Sequence, residues 1–308
     1  MDATVTFTVN TSIKQAPPLR GSMTCEAAFR TAASHYLLHL TAQHPGTCAG
    51  EPDSLHAMRV AMTRLKTTIA LFSPMVDGDE QLRLAAELKW LNAHLGIVRD
   101  LDVALERLAK TRNRTGASDR PWKQERAACQ RHLARALGSP RYRRLIRDIT
   151  AWIENGDWSR KRSKTATERR AQPAAEYCSD TLKEWRAKLL KKSRKLKEFG
   201  ARKRHRVRLA NKRLSYAIES AAELAPPDET PARLAMLKHL RKAQKSLGQL
   251  NDDARFRALA AALGEDKMDE SDLALAPKQK KRLLRKATSA YEELATLVPL
   301  KISERQLR

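Results

Sequence analysis

Three observations predict an all-α fold for this 308-residue chain. Ala, Leu, Glu, Lys and Arg dominate its periodic segments, and β-branched residues are sparse. Apolar residues recur at spacings of three and four, with Pro and Gly collected between the periodic runs. The third observation is an internal repeat. His56-Ala-Met-Arg59-Val-Ala61-Met-Thr-Arg64-Leu65 returns 149 residues later as His205-Arg-Val-Arg208-Leu-Ala210-Asn-Lys-Arg213-Leu214. Leu95-Gly96-Ile-Val-Arg99-Asp100 returns 152 residues later as Leu247-Gly248-Gln-Leu-Asn251-Asp252. A period this long is no solenoid, so the repeat reads as duplication of a four-helix unit.

The first unit spans residues 22–154. Its helices are predicted at Ser22–His44, stopped by Pro45; Ser54–Phe72, between Pro52 and Pro74; Asp79–Lys110, with acids in its first turn; and Asp119–Glu154, broken near Gly138–Pro140. The polar, basic stretch Asn155–Gln172 reads as a linker. The second unit, residues 173–300, carries helices at Ala174–Phe199, Arg202–Leu224 before Pro226-Pro227, Thr230–Leu263, and Ala276–Leu297 with Pro277 in its first turn. Residues 1–21 are expected to form a flexible leader and 301–308 a tail. Thr4–Val9 alternates like a short strand, but a single such run makes no sheet.

Composition narrows the partners. Lys and Arg total 60 against 35 Asp and Glu, for a net charge of +25, while aromatic residues make up only 5%. An apolar share of 42% is too high for a disordered chain, so the charge sits on a folded surface. Such a surface attracts a polyanion: nucleic acid, an anionic membrane, an acidic protein or a phosphate polymer. Fifteen Lys and Arg fall between Lys183 and Arg213, opposed only by Glu184 and Glu198. Leu182, Trp185, Leu189, Leu190, Leu196 and Phe199 recur through that run near helical spacing, which marks it as packed helix with a basic outer face. No stretch approaches the ~18 apolar residues of a membrane span, and no secretory signal opens the chain, so a cytoplasmic setting is expected. Cys25, Cys48, Cys129 and Cys178 lie too far apart for a disulfide framework or zinc knuckle and read as core residues.

On a helical wheel, the motif helix of each half divides into two faces. Met58, Ala61, Leu65, Ile69 and Phe72 share one face in the first half; Val207, Ala210, Leu214, Ile218 and Ala221 share it in the second. These are predicted core. Opposite them lie His56, Arg59, Thr63 and Lys66, then His205, Arg208, Lys212 and Ser215, with Arg64 and Arg213 on the flank. Cations one helical turn apart, roughly 5 Å, suit a chain of anionic groups better than a single phosphate. Any amphipathic surface helix shows such a stripe; its recurrence in both halves favours a site. Gly96 and Gly248 interrupt helices where each costs about 1 kcal/mol relative to Ala, and close helix–helix approach is their expected purpose. Asp100 and Asp252 are expected to accept bidentate hydrogen bonds from Arg and to aim it.

These motifs resemble the CHAD family, the conserved-histidine α-helical domain, over about Ser22–Leu297. The resemblance implies two four-helix bundles related by pseudo-twofold symmetry, with basic helices facing a shared central groove or pore. It further implies non-catalytic binding of inorganic polyphosphate, with association to polyphosphate granules as an extension. Carried over by position, it makes His56, Arg59, Arg64, His205, Arg208, Lys212 and Arg213 ligand contacts. Lys66, Lys89, Lys188, Lys192, Arg202 and Arg241 are expected to extend that surface, with Gly96, Asp100, Gly248 and Asp252 in support. Thr63, where a basic residue is usual, and Asn251, in place of Arg, depart from the pattern. Relatives often carry a triphosphatase-like β-barrel upstream; the leader lacks its Glu-x-Glu-x-Lys strand, so a stand-alone domain is expected.

The competing readings are weaker. His56, His94, Asp100 and Asp102 offer no adjacent His-Asp pair for a metal phosphohydrolase, and Asp102 has Ala254 as its counterpart. His35 and His39 have metal-ligand spacing on one helix, but apolar neighbours favour a packed pair. No P-loop and no nucleophile elbow occurs. Weak nucleic-acid binding is the alternative, since the charge fits; stacking aromatics and a base-reading motif are missing. A membrane or acidic-protein anchor ranks third. No cofactor and no metal is expected.

Overall fold

A computed structural model describes residues 16–115, 119–264, 275–300 and 302. Its long helices are α1 (Cys25–Ala42), α3 (Pro52–Leu71), α5 (Asp79–Thr115), α6 (Arg120–Gly138), α7 (Pro140–Asn155), α10 (Ala174–Ser193), α11 (Ala201–Ser220), α12 (Thr230–Ala262) and α13 (Pro277–Thr296). Short helices α2 (His44–Ala49), α4 (Ser73–Val76), α8 (Asp157–Arg160) and α9 (Lys164–Ala171) link them. Local signals place the ends: the Thr24 hydroxyl accepts from Ala27 N at 3.3 Å to open α1, and Ser139 caps α7 through Tyr142 N at 3.2 Å. The predicted break at Gly138–Pro140 separates α6 from α7. Among the described residues there is no strand beyond one isolated bridge, Thr24 to Pro173. Thr4–Val9 lies outside them, as do residues 1–15 of the expected leader.

Successive long helices pack on each other: α1 on α3, α3 on α5 and α5 on α6, then α10 on α11, α11 on α12 and α12 on α13. Three further contacts join the halves, α3 with α11, α5 with α12 and α1 with α10. The predicted core faces are buried, with Met58 and Leu65 at 0% exposure and Val207 and Leu214 at 2% and 1%; only Ala210 is half-buried. One hydrophobic cluster runs through helices of both halves. Burial of each large apolar side chain in it contributes roughly 1.5–3 kcal/mol.

Three boundary regions differ from their simple reading. Asn155–Gln172 is built structure: it contains α8 and α9 and buries Trp158 against Phe29, ring centroids 5.2 Å apart, with Arg30 over the same ring. Trp158 also donates its indole N–H to the Trp152 carbonyl at 2.8 Å. Leu19, within the expected leader, is core, and so is Ile302 in the expected tail. Among the described residues, Leu19 of the expected leader, with Pro17 also buried, and Ile302 of the expected tail pack inward, signals too short for any periodicity. The cysteines behave as predicted: Cys25, Cys129 and Cys178 are buried, Cys48 is half-buried, and all are free thiols.

Candidate functional site

His56 and His205 each occupy the fifth position of their helix, α3 and α11, so the repeated motifs start in equivalent places. The contact between α3 and α11, with α5 and α12 alongside, brings their stripes together. Arg59 on α3 sits between Asp100 and Arg99 of α5, Arg208 of α11 and Arg255 of α12; burial, joined by those cations and opposed by Asp100, holds its guanidinium below the ordinary range. Lys212 feels the strongest consequence. Desolvation, then Arg208 and Arg59, lower its ammonium from 10.5 to about 8, against a weaker pull from Asp252. His56 lies at the solvent edge; desolvation of its ring, then Arg99, Lys212 and Arg59, depress it. A second group continues the track, in which desolvation, Arg213 and Lys89 lower Lys66.

Little acid offsets this charge. Among the described residues, Arg59, Lys66, Lys89, Arg208, Lys212 and Arg213 form no ion pair, although the rest of the surface is laced with them. Arg208 Nε is buried with no hydrogen-bond partner. Asp100 and Asp252 lie close enough for Asp252 to raise Asp100, but burial is the larger cause of that rise. Convergent cations and an orphaned guanidinium nitrogen make a surface short of acceptors. An anion supplies them.

Beside this cluster, α11 and α12 enclose a cleft of about 330 Å³ lined by Arg202, Arg204, His205, Asn251 and Arg255, with Leu247 and Leu250 as its floor. His205 Nδ1 is 2.7 Å from Asn251 Oδ1. Arg99, Arg204 and Arg255 were not among the predicted contacts. Arg99 stood in the second motif; Arg255 follows Asn251 by one helical turn, and that spacing was its signal.

Several expectations need correction. Arg64 is turned into the interior and away from the cationic track: it is 7% exposed, pairs with Glu219 at 2.7 Å and lies over the rings of Tyr216 and Tyr36 at 4.9 and 5.7 Å. Its counterpart Arg213 is exposed and rests over Trp185 at 5.6 Å, so equal places in the repeat have unequal surroundings. Arg241 also pairs with Glu219, at 3.1 Å. Lys188 pairs with Glu184, and both Lys188 and Lys192 lie on the exposed face of α10, with no contact tying them to the cluster. The glycines are not there for close helix approach. A Cβ on Gly96 would meet only Arg59 Nη1 at 3.7 Å, and one on Gly248 would meet nothing within 4 Å. Asp100 of α5 does receive an arginine from a neighbouring helix, Arg255 of α12, through one contact at 3.4 Å and not a bidentate pair, while Arg59 donates to the carbonyls of Leu95 and Gly96 at 3.0 and 2.9 Å.

The described residues contain no cluster of three His, Cys, Asp or Glu side chains able to hold a metal, and His35 and His39 pack ring to ring at 4.4 Å. No Phe, Tyr or Trp among them is exposed, so no aromatic platform stands ready for bases. No helix among them is long and apolar enough to cross a membrane.

Fold and site together define a class: helical proteins built from a repeated unit whose two histidine-bearing helices meet at a cationic cluster. The sequence matches the CHAD domain over residues 31–261, and this chain belongs to that family. It is similar in structure to the CHAD domain from the plant Ricinus communis, with 25% identity, a TM-score of 0.73, and coverage of 93% of this chain and 97% of that one. It also resembles PptA from Streptomyces chartreusis, at 16% identity and a TM-score of 0.58 over 89% and 96% of the two chains, a likeness of fold alone. No curated protein matches the sequence.

Proposed function

We propose that this chain binds inorganic polyphosphate without turning it over, through Arg59, Lys66, Lys89, Arg208, Lys212 and Arg213, with His56, His205 and Arg202 at the margins. The observation that supports this most is the convergence of six cations from α3, α5 and α11 with no ion pair among them. Like charges gathered at this density weaken the free protein and are compensated only by a ligand of high linear charge. Arg forks take phosphate oxygens in pairs while Lys supplies point charge, so successive phosphates are held without base recognition. The CHAD membership supports the choice of polymer, and localisation to polyphosphate granules follows from it as the cellular expectation.

The test is a competition titration of long-chain polyphosphate against tripolyphosphate and nucleic acids of equal phosphate number, across a salt series. Six cation–phosphate contacts at about 0.7 released counterions each give a log–log salt slope of roughly −4. Arg59→Ala/Arg208→Ala/Arg213→Ala should reduce that slope by about two and lose the preference for polymer. Equal affinity for tripolyphosphate and long polymer, or an unchanged slope in the triple variant, would defeat the proposal.

A further inference from the structure

The His205–Asn251 contact has a chemical consequence for the cleft it lines. An amide oxygen only accepts, so the 2.7 Å contact from Nδ1 to Asn251 Oδ1 places the ring hydrogen on Nδ1. Asn251 Nδ2 is directed at Asp252 Oδ1 at 3.4 Å, which turns the amide oxygen toward the imidazole. A neutral ring of this tautomer offers only a lone pair at Nε2, and a phosphate oxygen repels a lone pair. Resting on the polyphosphate reading, we propose that His205 engages phosphate only as imidazolium, taking a proton from solvent onto Nε2 as phosphate enters the cleft, and that Asn251 is the positioning residue that imposes this requirement.

Arg202 and Arg204 of α11 and Arg255 of α12 line the cleft with the ring. Asp252 of α12 accepts from Asn251 Nδ2, and Asp100 of α5 is engaged by Arg255. With phosphate in the cleft, the imidazolium donates from both nitrogens, one to Asn251 and one to phosphate. The first half lacks the device. Arg99 stands where Asn251 stands in the repeat, and it donates to Glu106 at 3.2 Å.

Calorimetric titration of tripolyphosphate in buffers of different ionisation enthalpy counts the protons taken up, and ¹⁵N imidazole spectra report which His205 nitrogens carry hydrogen. The expected result is a bound wild type protonated on both nitrogens. Asn251→Leu releases the tautomer, so a neutral ring can donate from Nε2. Its proton uptake should fall by a large part of one proton, and its affinity ratio between pH 6 and pH 8 should shrink by about fivefold relative to wild type. Asn251→Asp keeps the tautomer and favours imidazolium, and should bind more tightly than Asn251→Leu at pH 7.5. His205→Gln gives the same loss of uptake by a route independent of position 251. A bound ring unprotonated at Nε2, or undiminished uptake in both Asn251→Leu and His205→Gln, overturns the assignment while leaving polyphosphate binding intact. A folded wild type that binds neither tripolyphosphate nor long-chain polyphosphate overturns both.

Discussion

Replacing Lys212 with methionine should make the free protein more stable and a poorer polyanion binder. The side chain lies between Arg59 and Arg208, and its ammonium titrates at about 8 in place of 10.5. At 1.36 kcal/mol per unit, carrying that charge at pH 7 costs the folded state about 3 kcal/mol, an upper figure because the group is partly open to solvent. The sign follows from the lowered value. Below pH 8 both folded and unfolded chains hold the proton and the full cost is present. Between pH 8 and 10.5 the folded chain has released a proton that the unfolded chain retains, so stability rises with pH. Methionine keeps most of the aliphatic volume and removes the charge. Urea unfolding at pH 7 should therefore show Lys212→Met more stable by about 1–3 kcal/mol, with the gap closing as pH climbs toward 10. Polyphosphate affinity should fall in the same variant. A variant less stable than wild type at pH 7, or a gap that does not change with pH, would refute the claim that the cluster is held against its own repulsion.

Arg64→Met removes one partner of a buried pair and leaves Glu219 with only Arg241, so chemical denaturation should show a loss of about 3 kcal/mol, while salt-resolved polyphosphate affinity of the folded variant stays within about twofold of wild type. Gly248→Ala should stabilise by about 0.5–1 kcal/mol in urea melts, since its Cβ meets nothing and α12 gains a better helix former. Asp253 is 1% exposed; burial pushes its carboxyl up, but Leu275 N–H, Lys280 and Arg107 outweigh that and hold it below the usual range. Its contribution is present above the ordinary carboxylate value and is lost as pH falls through the lowered one, so Asp253→Asn should unfold at lower urea at pH 7 and converge on wild type as pH falls below the lowered value.

Most helices were legible because their signals are local. Apolar spacing, the Gly138–Pro140 break and the prolines ahead of α3 and α13 lie within a turn of what they determine. The cationic stripes were legible for the same reason, since one face of α3 or α11 is fixed by counting from its histidine. What could not be read was what each side chain meets across the helix contact. Arg64 and Arg213 match in the repeat, yet only Arg64 meets Glu219 and two tyrosine rings, because the residues opposing them differ. Asn251 read as a weakened Arg, and its bond to His205 depends on the approach of α11 to α12. Trp158 was the overlooked sign that Asn155–Gln172 packs: a lone indole in a polar stretch carries no period but buries a large area.

The pair of contacts that Glu219 makes, one to Arg64 of α3 and one to Arg241 of α12, spans the boundary between the duplicated units. A single carboxylate on α11 thereby fastens an element of the first unit and one of the second to the same point, above a core that both share. The duplication has lost its modularity. Residues of both units share one hydrophobic cluster, so the interior of each is continuous with that of the other. Under the polyphosphate proposal, the polymer would meet two histidine helices already held together by that shared core and by Glu219.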